Sequence, residues 1–276
     1  MKLRLLFLSA LLLMAGALFA QTHNHRDGAD TKEGRQKDGS YSFKTVDVHG
    51  NNVTVVVEPK MPKLPDNPRD IIGHDLYEAP FIESEALGAK GGNGGGPGGG
   101  NGGGGGGGGA VTVDVYVVAD EEYRAAHGNW EGTLGSIIEK ADNAYSRDQN
   151  IDWNIVGYYE WNSNGRNASR MLSELSSEAG NLGPGLVMGF TADSNFDAGG
   201  IAYVYSSNPG TGYSICVDQG STYTVYALRH EIGHNYSCSH DFDPVVCMMN
   251  YTYAYSVDYF DSAHEAEIDS HRNWFQ

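Results

Sequence analysis

Basic residues are scarce in this chain: 18 Lys and Arg stand against 35 Asp and Glu, giving a net charge of −17 over 276 residues. The shortage is local. Residues 110–276 hold 23 acidic and 7 basic side chains, net −16, which leaves 12 and 11, net −1, for residues 1–109. A C-terminal part this acidic, with no basic stripe, argues against nucleic acid as a partner. Long apolar runs are also lacking. Leu5–Phe19 alone exceeds 10 residues, at the extreme N-terminus, so no integral membrane span is expected once that stretch is removed. Cysteine is rare: Cys216, Cys238 and Cys247 make up the full set of 3, and none falls in residues 21–109. One disulfide plus one free thiol is the simplest use of them.

Glycine, by contrast, is abundant. There are 38, and 16 of them crowd into the 19 residues 91–109. Such a tract cannot fold, so residues 88–110 read as a flexible Gly-rich linker with a reach of roughly 25–29 Å. Ahead of it, Lys2 and Arg4 precede the apolar run, and Ala20 offers a small residue before Gln21. Residues 1–20 therefore read as a signal peptide, and the mature chain is expected to be secreted, extracellular or periplasmic, where disulfides are permitted. In residues 21–87, Ser42–Val48 and Asn52–Glu58 alternate like strands around the turn signal His49-Gly50-Asn51. This region is too short to bury a large core and reads as a small pro-segment, tethered closely enough to fold back over a cleft.

From residue 111 the patterning becomes regular. Val111–Ala119 alternates as a strand; Leu134, Ile137, Ile138, Ala141 and Tyr145 mark a helix over Asn129–Arg147. A strand at Ile151–Trp161 and a helix at Arg170–Ala179 follow. Short strands at Leu186–Phe190, Ile201–Tyr205 and Gly212–Val217 come next. This succession predicts an α/β (α+β) domain over 111–276, with helices packed on a mixed, twisted sheet.

The chemistry is concentrated in Thr224–Asn235. Val225, Leu228 and Ile232 predict an amphipathic helix with one buried stripe, and it carries His230-Glu231-Ile232-Gly233-His234. Histidines four apart share one helix face, so both imidazoles can reach one metal ion. Glu231 lies about a hundred degrees round the helix, placed to act on a water beside the metal without displacing it. His-Glu-x-x-His is the helix of zinc hydrolases, expected by chance about 0.02 times in a chain of this composition. A further histidine, His240, stands six residues beyond His234. With it the chance expectation drops below about 0.001.

HEIGHNYSCSHD resembles the zinc-binding consensus of the metzincin peptidases, with the closing His240-Asp241 most like the adamalysin (reprolysin) family. GGIAYVYSSNPGTGYSICV resembles the strand–loop–strand before that family's active-site helix. VTVDVYVVADEEYR resembles its opening strand, and YFDSAHEAEIDSHRNWF its closing helix. The resemblance implies a metzincin-type fold with one catalytic zinc ion on His230, His234 and His240, and endopeptidase activity on protein or peptide substrates. It further implies Glu231 as general base, Asp241 as a residue securing the turn by hydrogen bonds, and Ile201, Ala202 and Tyr203 on an edge strand that pairs with an extended substrate. Cys247-Met248-Met249-Asn250-Tyr251 resembles the methionine turn, with Met249 as the packing residue beneath the metal. Tyr251, two residues on, resembles the astacin and serralysin arrangement, in which a tyrosine hydroxyl meets the oxyanion.

The chain departs from the pattern at Ser237, where metzincins usually carry glycine; a left-handed backbone there costs about 1 kcal/mol. Cys238 and Cys247 flank the third ligand and the turn, so a disulfide between them would tie the two, with Cys216–Cys247 as the rival pairing. Any latency must come from a carboxylate such as Asp75, or from coverage alone, since residues 21–109 contain no thiol. Two other functions stay open: a catalytically silent zinc-containing binding or adhesion module, against which Glu231 speaks, and a zinc hydrolase of non-peptide bonds. Nothing in the sequence fixes the oligomeric state.

Overall fold

The computed structural model describes residues 39–60, 109–242 and 245–276. The signal-peptide expectation, Asp75 and nearly all of the Gly-rich tract lie outside them. The strands are β1 (Tyr41–Val46), β2 (Asn52–Val57), β3 (Val111–Ala119), β4 (Ile151–Glu160), β5 (Gly185–Thr191), β6 (Gly200–Tyr205) and β7 (Thr211–Val217). The helices are α1 (Glu121–Ala126), α2 (Trp130–Gln149), α3 (Ala168–Glu178), α4 (Ser221–Asn235) and α5 (Ser262–His271). All seven strands form one mixed sheet in the order β1-β2-β6-β7-β5-β3-β4. Strands β4, β3, β5 and β7 run parallel, whereas β6 is antiparallel to β7 and β2 antiparallel to β6.

Alternation along β3 places the two cores. Val111, Val113, Val115 and Val117 face the helices α2 and α4, packing with Leu134, Ile137, Ile138, Leu228 and Ile232. Val118 faces the other side, toward Leu172 and Leu175 of α3. Each such side chain, fully buried, contributes about 1.5–3 kcal/mol. The sheet thus has helices on both faces, as parallel pairing requires. The expected elements all form: Val111–Ala119 has the bounds expected, and the ends of the others shift by at most three residues. The short helix α1 was not expected. It starts where the Asp120 carboxylate accepts the Tyr123 amide at 2.8 Å, an N-cap signal too brief for a periodicity to mark.

The N-terminal hairpin is the informative departure. Residues 39–60 supply two strands to the main sheet itself. The hairpin is closed by Asp47, whose Oδ1 accepts the amides of His49 (2.9 Å) and Asn51 (2.8 Å), while Gly50 takes a positive φ of 85°. Val53, Val55 and Val57 of β2 are buried against Ile201, Tyr203 and Tyr205. Among the described residues no helix is long and apolar enough to cross a membrane.

Candidate metal centre

Helix α4 is not the one-sided amphipathic helix its periodicity suggests: every residue from Ala227 to Asn235 is buried. Its other faces are buried because polar groups there find partners. The Arg229 guanidinium donates to the carbonyls of Lys140 and Ala141 near the middle of α2, and the Tyr145 hydroxyl donates to Arg229 O at 2.7 Å. Asn235 Nδ2 donates to Tyr203 O (2.9 Å) and Tyr213 O (3.1 Å), fastening the helix to β6 and β7. The helix then ends in a Schellman turn. Ser237 N donates to His234 O at 2.9 Å and Cys238 N to Gly233 O at 3.1 Å, with Ser237 itself at φ 77°. The turn keeps the geometry that glycine would serve, and Ser237 bears the strain.

That turn swings His240 back over the helix. Its Nε2 lies 3.1 Å from His230 Nε2 and 3.2 Å from His234 Nε2. The remaining ring nitrogens fix the tautomers. His230 Nδ1 faces Met248 O at 2.7 Å and His234 Nδ1 faces Cys238 O at 2.8 Å, so both carry their proton there. Their Nε2 lone pairs therefore point at one spot. Burial, the largest cause, pushes the His234 imidazole down to about 4, keeping it neutral. Nitrogens at about 2.0–2.1 Å from one tetrahedral zinc ion would stand roughly 3.3–3.4 Å apart. The observed spacing matches to within a few tenths of an ångström, and facing lone pairs in a buried site call for a cation.

A fourth group, which the sequence reading missed, joins them. The Glu58 carboxylate, directly after β2, puts Oε1 2.7 Å from His240 Nε2 and 3.5 Å from Nε2 of both His230 and His234. Its side chain is 2 % exposed, and neither oxygen receives a well-formed hydrogen bond. Burial opposes its ionisation, but His240 and the other two imidazoles outweigh that and hold its carboxyl well below the usual range. Glu58, His230, His234 and His240 thus form a four-residue cluster with metal-ligand spacing. The one signal in the sequence was an acid closing a valine-rich strand; its place over the helix depends on β2 pairing with β6, which no local spacing encodes.

Glu231 is buried beside the cluster, its carboxyl pushed up by burial and then by the charge of Glu58. It lies against the backbone of Gly200, where a Cβ would overlap its carboxyl. Met249 packs against α4 between the two helical ligands: a Cβ on Gly233 would stand 2.6 Å from Met249 Sδ. Asp241 N donates to Met249 O at 3.0 Å, joining the third-ligand loop to the methionine turn. Tyr251 reaches toward the hairpin, its hydroxyl donating to Pro59 O at 2.6 Å. Ile201, Ala202 and Tyr203 lie on β6, which is not the edge strand expected from the sequence: Val57, Val56 and Val55 of β2 pair with it on the side away from β7. The three cysteines are free, so the Cys238–Cys247 bridge expected from the sequence is not formed. His264 stands between them: its Nδ1 is 3.3 Å from Cys247 Sγ, its backbone carbonyl lies 3.9 Å from Cys238 Sγ, and its Nε2 pairs with Ser239 O at 2.9 Å.

Three buried imidazoles converging beside a carboxylic acid are the equipment of a metal-dependent hydrolase. Residues 110–261 match the Reprolysin_5 model of metallo-peptidase family M12, more than half of the chain, and the chain belongs to that family. M12 metallopeptidases use zinc, and the His₃ cluster with its glutamate fits such an ion. Among solved structures, a chain of a chaperone–substrate complex aligns at 13 % identity and TM-score 0.48, over 59 % of this chain and 34 % of that one. Metalloproteinase-II from Bacteroides fragilis aligns at 13 % identity and TM-score 0.42, over 58 % and 52 %. The chain therefore spans about a third and about half of those two chains. No curated protein matches it.

Proposed function

We propose that the chain is a secreted zinc endopeptidase of the metzincin type, made with an N-terminal signal peptide and pro-segment. The observation that carries this reading is the convergence of three Nε2 atoms whose partner nitrogens are all engaged elsewhere. His230, His234 and His240 would hold the ion, leaving one position for water or substrate. When bound, zinc supplies a Lewis acid and acidifies a water at that position. Glu231 takes a proton from the attacking water on its carboxylate and delivers it to the leaving nitrogen as the C–N bond breaks. Gly200 lets that carboxylate lie against the start of β6. Strand β6 orients an extended peptide by main-chain pairing. The Tyr251 hydroxyl donates to the oxyanion as charge develops. Met249 sets the floor of the site by packing.

The reading is tested by digesting a peptide library with the purified protein after removal of its pro-segment, with and without a chelator, alongside metal analysis of His240→Ala. Cleavage that stops on chelation is expected. The substitution should weaken zinc binding by at least about 100-fold, since two ligands remain of three. Unchanged zinc content after dialysis of the variant would remove His240 from the ligand set.

A further inference from the structure

We infer that the hairpin β1–β2 is an inhibitor built into the chain, which occupies the cleft as a peptide would and closes the metal site with Glu58 as fourth ligand. The inference rests on the zinc-peptidase reading above. One short stretch, residues 53–59, meets β6, the three histidines and Tyr251, to which that reading gives the substrate. Val53 through Val57 pair antiparallel with Tyr205 through Ile201. The pairing continues past the strand end: Glu58 N donates to Gly200 O at 3.1 Å and Gly199 N to Glu58 O at 2.9 Å. Pro59 O accepts from Tyr251 at 2.6 Å. Between these contacts the Glu58 side chain turns down onto the three histidines.

Its chemistry explains why the occupant blocks and is not cut. What stands over the histidines is a side-chain carboxylate, which has no leaving group and whose charge repels a nucleophile. The backbone carbonyl of Glu58 is turned away into the strand pairing with Gly199. A buried carboxylate without well-formed hydrogen bonds costs several kcal/mol unless a cation satisfies it, and the histidines supply the place for one. The hairpin also reaches the third ligand from behind, where Ser40 Oγ lies 3.3 Å from His240 Nδ1.

The test uses the full-length protein loaded with Co²⁺, comparing wild type with Glu58→Gln, which keeps the side chain's size. If Glu58 is a ligand, the visible cobalt spectrum differs between the two. Acetohydroxamate, a small metal-directed probe, should bind the variant at least about tenfold more tightly. Hydrogen exchange gives a readout that survives poor folding of the variant. In wild type, metal should slow exchange of the Val53–Val57 amides by about tenfold or more, because a ligand shared with the metal stabilises the strand that carries it. One bound cobalt with identical spectra, equal hydroxamate affinity and no metal-dependent protection of β2 would overturn the inference alone. Failure of wild type to bind cobalt would overturn the metal reading with it.

Discussion

The three histidines are approached from two sides by segments of opposite character. Below them, α4 holds two ligands and the base in five consecutive residues, on a helix anchored through Arg229, Asn235 and the buried Val225, Leu228 and Ile232. Above them, Glu58 arrives on a two-stranded hairpin whose outer strand leaves Val46 58 % exposed. One segment is buried along its whole second half; the other is held by its pairing with β6, by Val53, Val55 and Val57 in the core beneath that strand, by hydrogen bonds to Tyr213 and Tyr251, and by the site itself. The contrast teaches that permanence and removability can meet at one ligand set. Destroying the α4 side abolishes the site, whereas loosening the hairpin side uncovers it.

The largest effect should come from the helix. Glu231→Ala leaves all three histidines in place, so metal content should be unchanged while kcat/KM for peptide hydrolysis falls by about 10²–10⁴-fold. Wild-type turnover would show that α4 contributes ligands and nothing more. Tyr251 belongs to both sides, because its hydroxyl now serves the hairpin. Tyr251→Phe should lower kcat by about 10²–10³-fold with KM nearly constant. A change confined to faster exchange of the β2 amides would assign the hydroxyl to the hairpin alone.

Two smaller effects probe the body and should not touch the hairpin. Burial, then the charge of Asp152, pushes the Asp142 carboxyl up to about 7. Between about pH 4 and pH 7 the folded chain keeps that proton while the unfolded chain has lost it, so this group's contribution to stability falls as pH rises. Asp142→Asn should remove that slope, stabilising the protein by about 1–2 kcal/mol at pH 8 and scarcely at pH 4. Denaturant unfolding at the two pH values measures it; equal gains at both would rule out the titration. Ser237→Gly should relieve the left-handed backbone and add about 1 kcal/mol or less. A loss of thermal stability there would mean that the serine side chain earns its place in the turn.

The same contrast explains what the sequence disclosed. His230, Glu231, His234 and His240 could be read because a helix and one tight turn convert spacing directly into geometry. Ser237 could be read as a strained position because the turn demands a sign of φ, not a partner. The hairpin's turn was legible too, in His49-Gly50-Asn51, yet its destination was not. Pairing Val57 with Ile201 joins residues far apart in the chain, and nothing local selects that register. Glu58 was therefore overlooked, and with it the engagement of Tyr251. The disulfide expectation failed for a related reason: proximity in sequence of Cys238 and Cys247 says nothing about His264, which comes between them from α5.

Ser40 and Glu58 bracket the hairpin in sequence and meet at the same imidazole, His240, while the turn at residues 48–51 sits at the far end, near Tyr213. The hairpin is thus fastened like a clasp at its open end. Fraying from the turn frees residues but leaves the clasp shut, so it lowers the barrier to release without completing it. Pulling on the chain beyond residue 60 loads the Glu58 contact first, one bond at a time, as in a zipper. The order of rupture is set by where the chain continues, and the cleft opens at its catalytic end before its distal end.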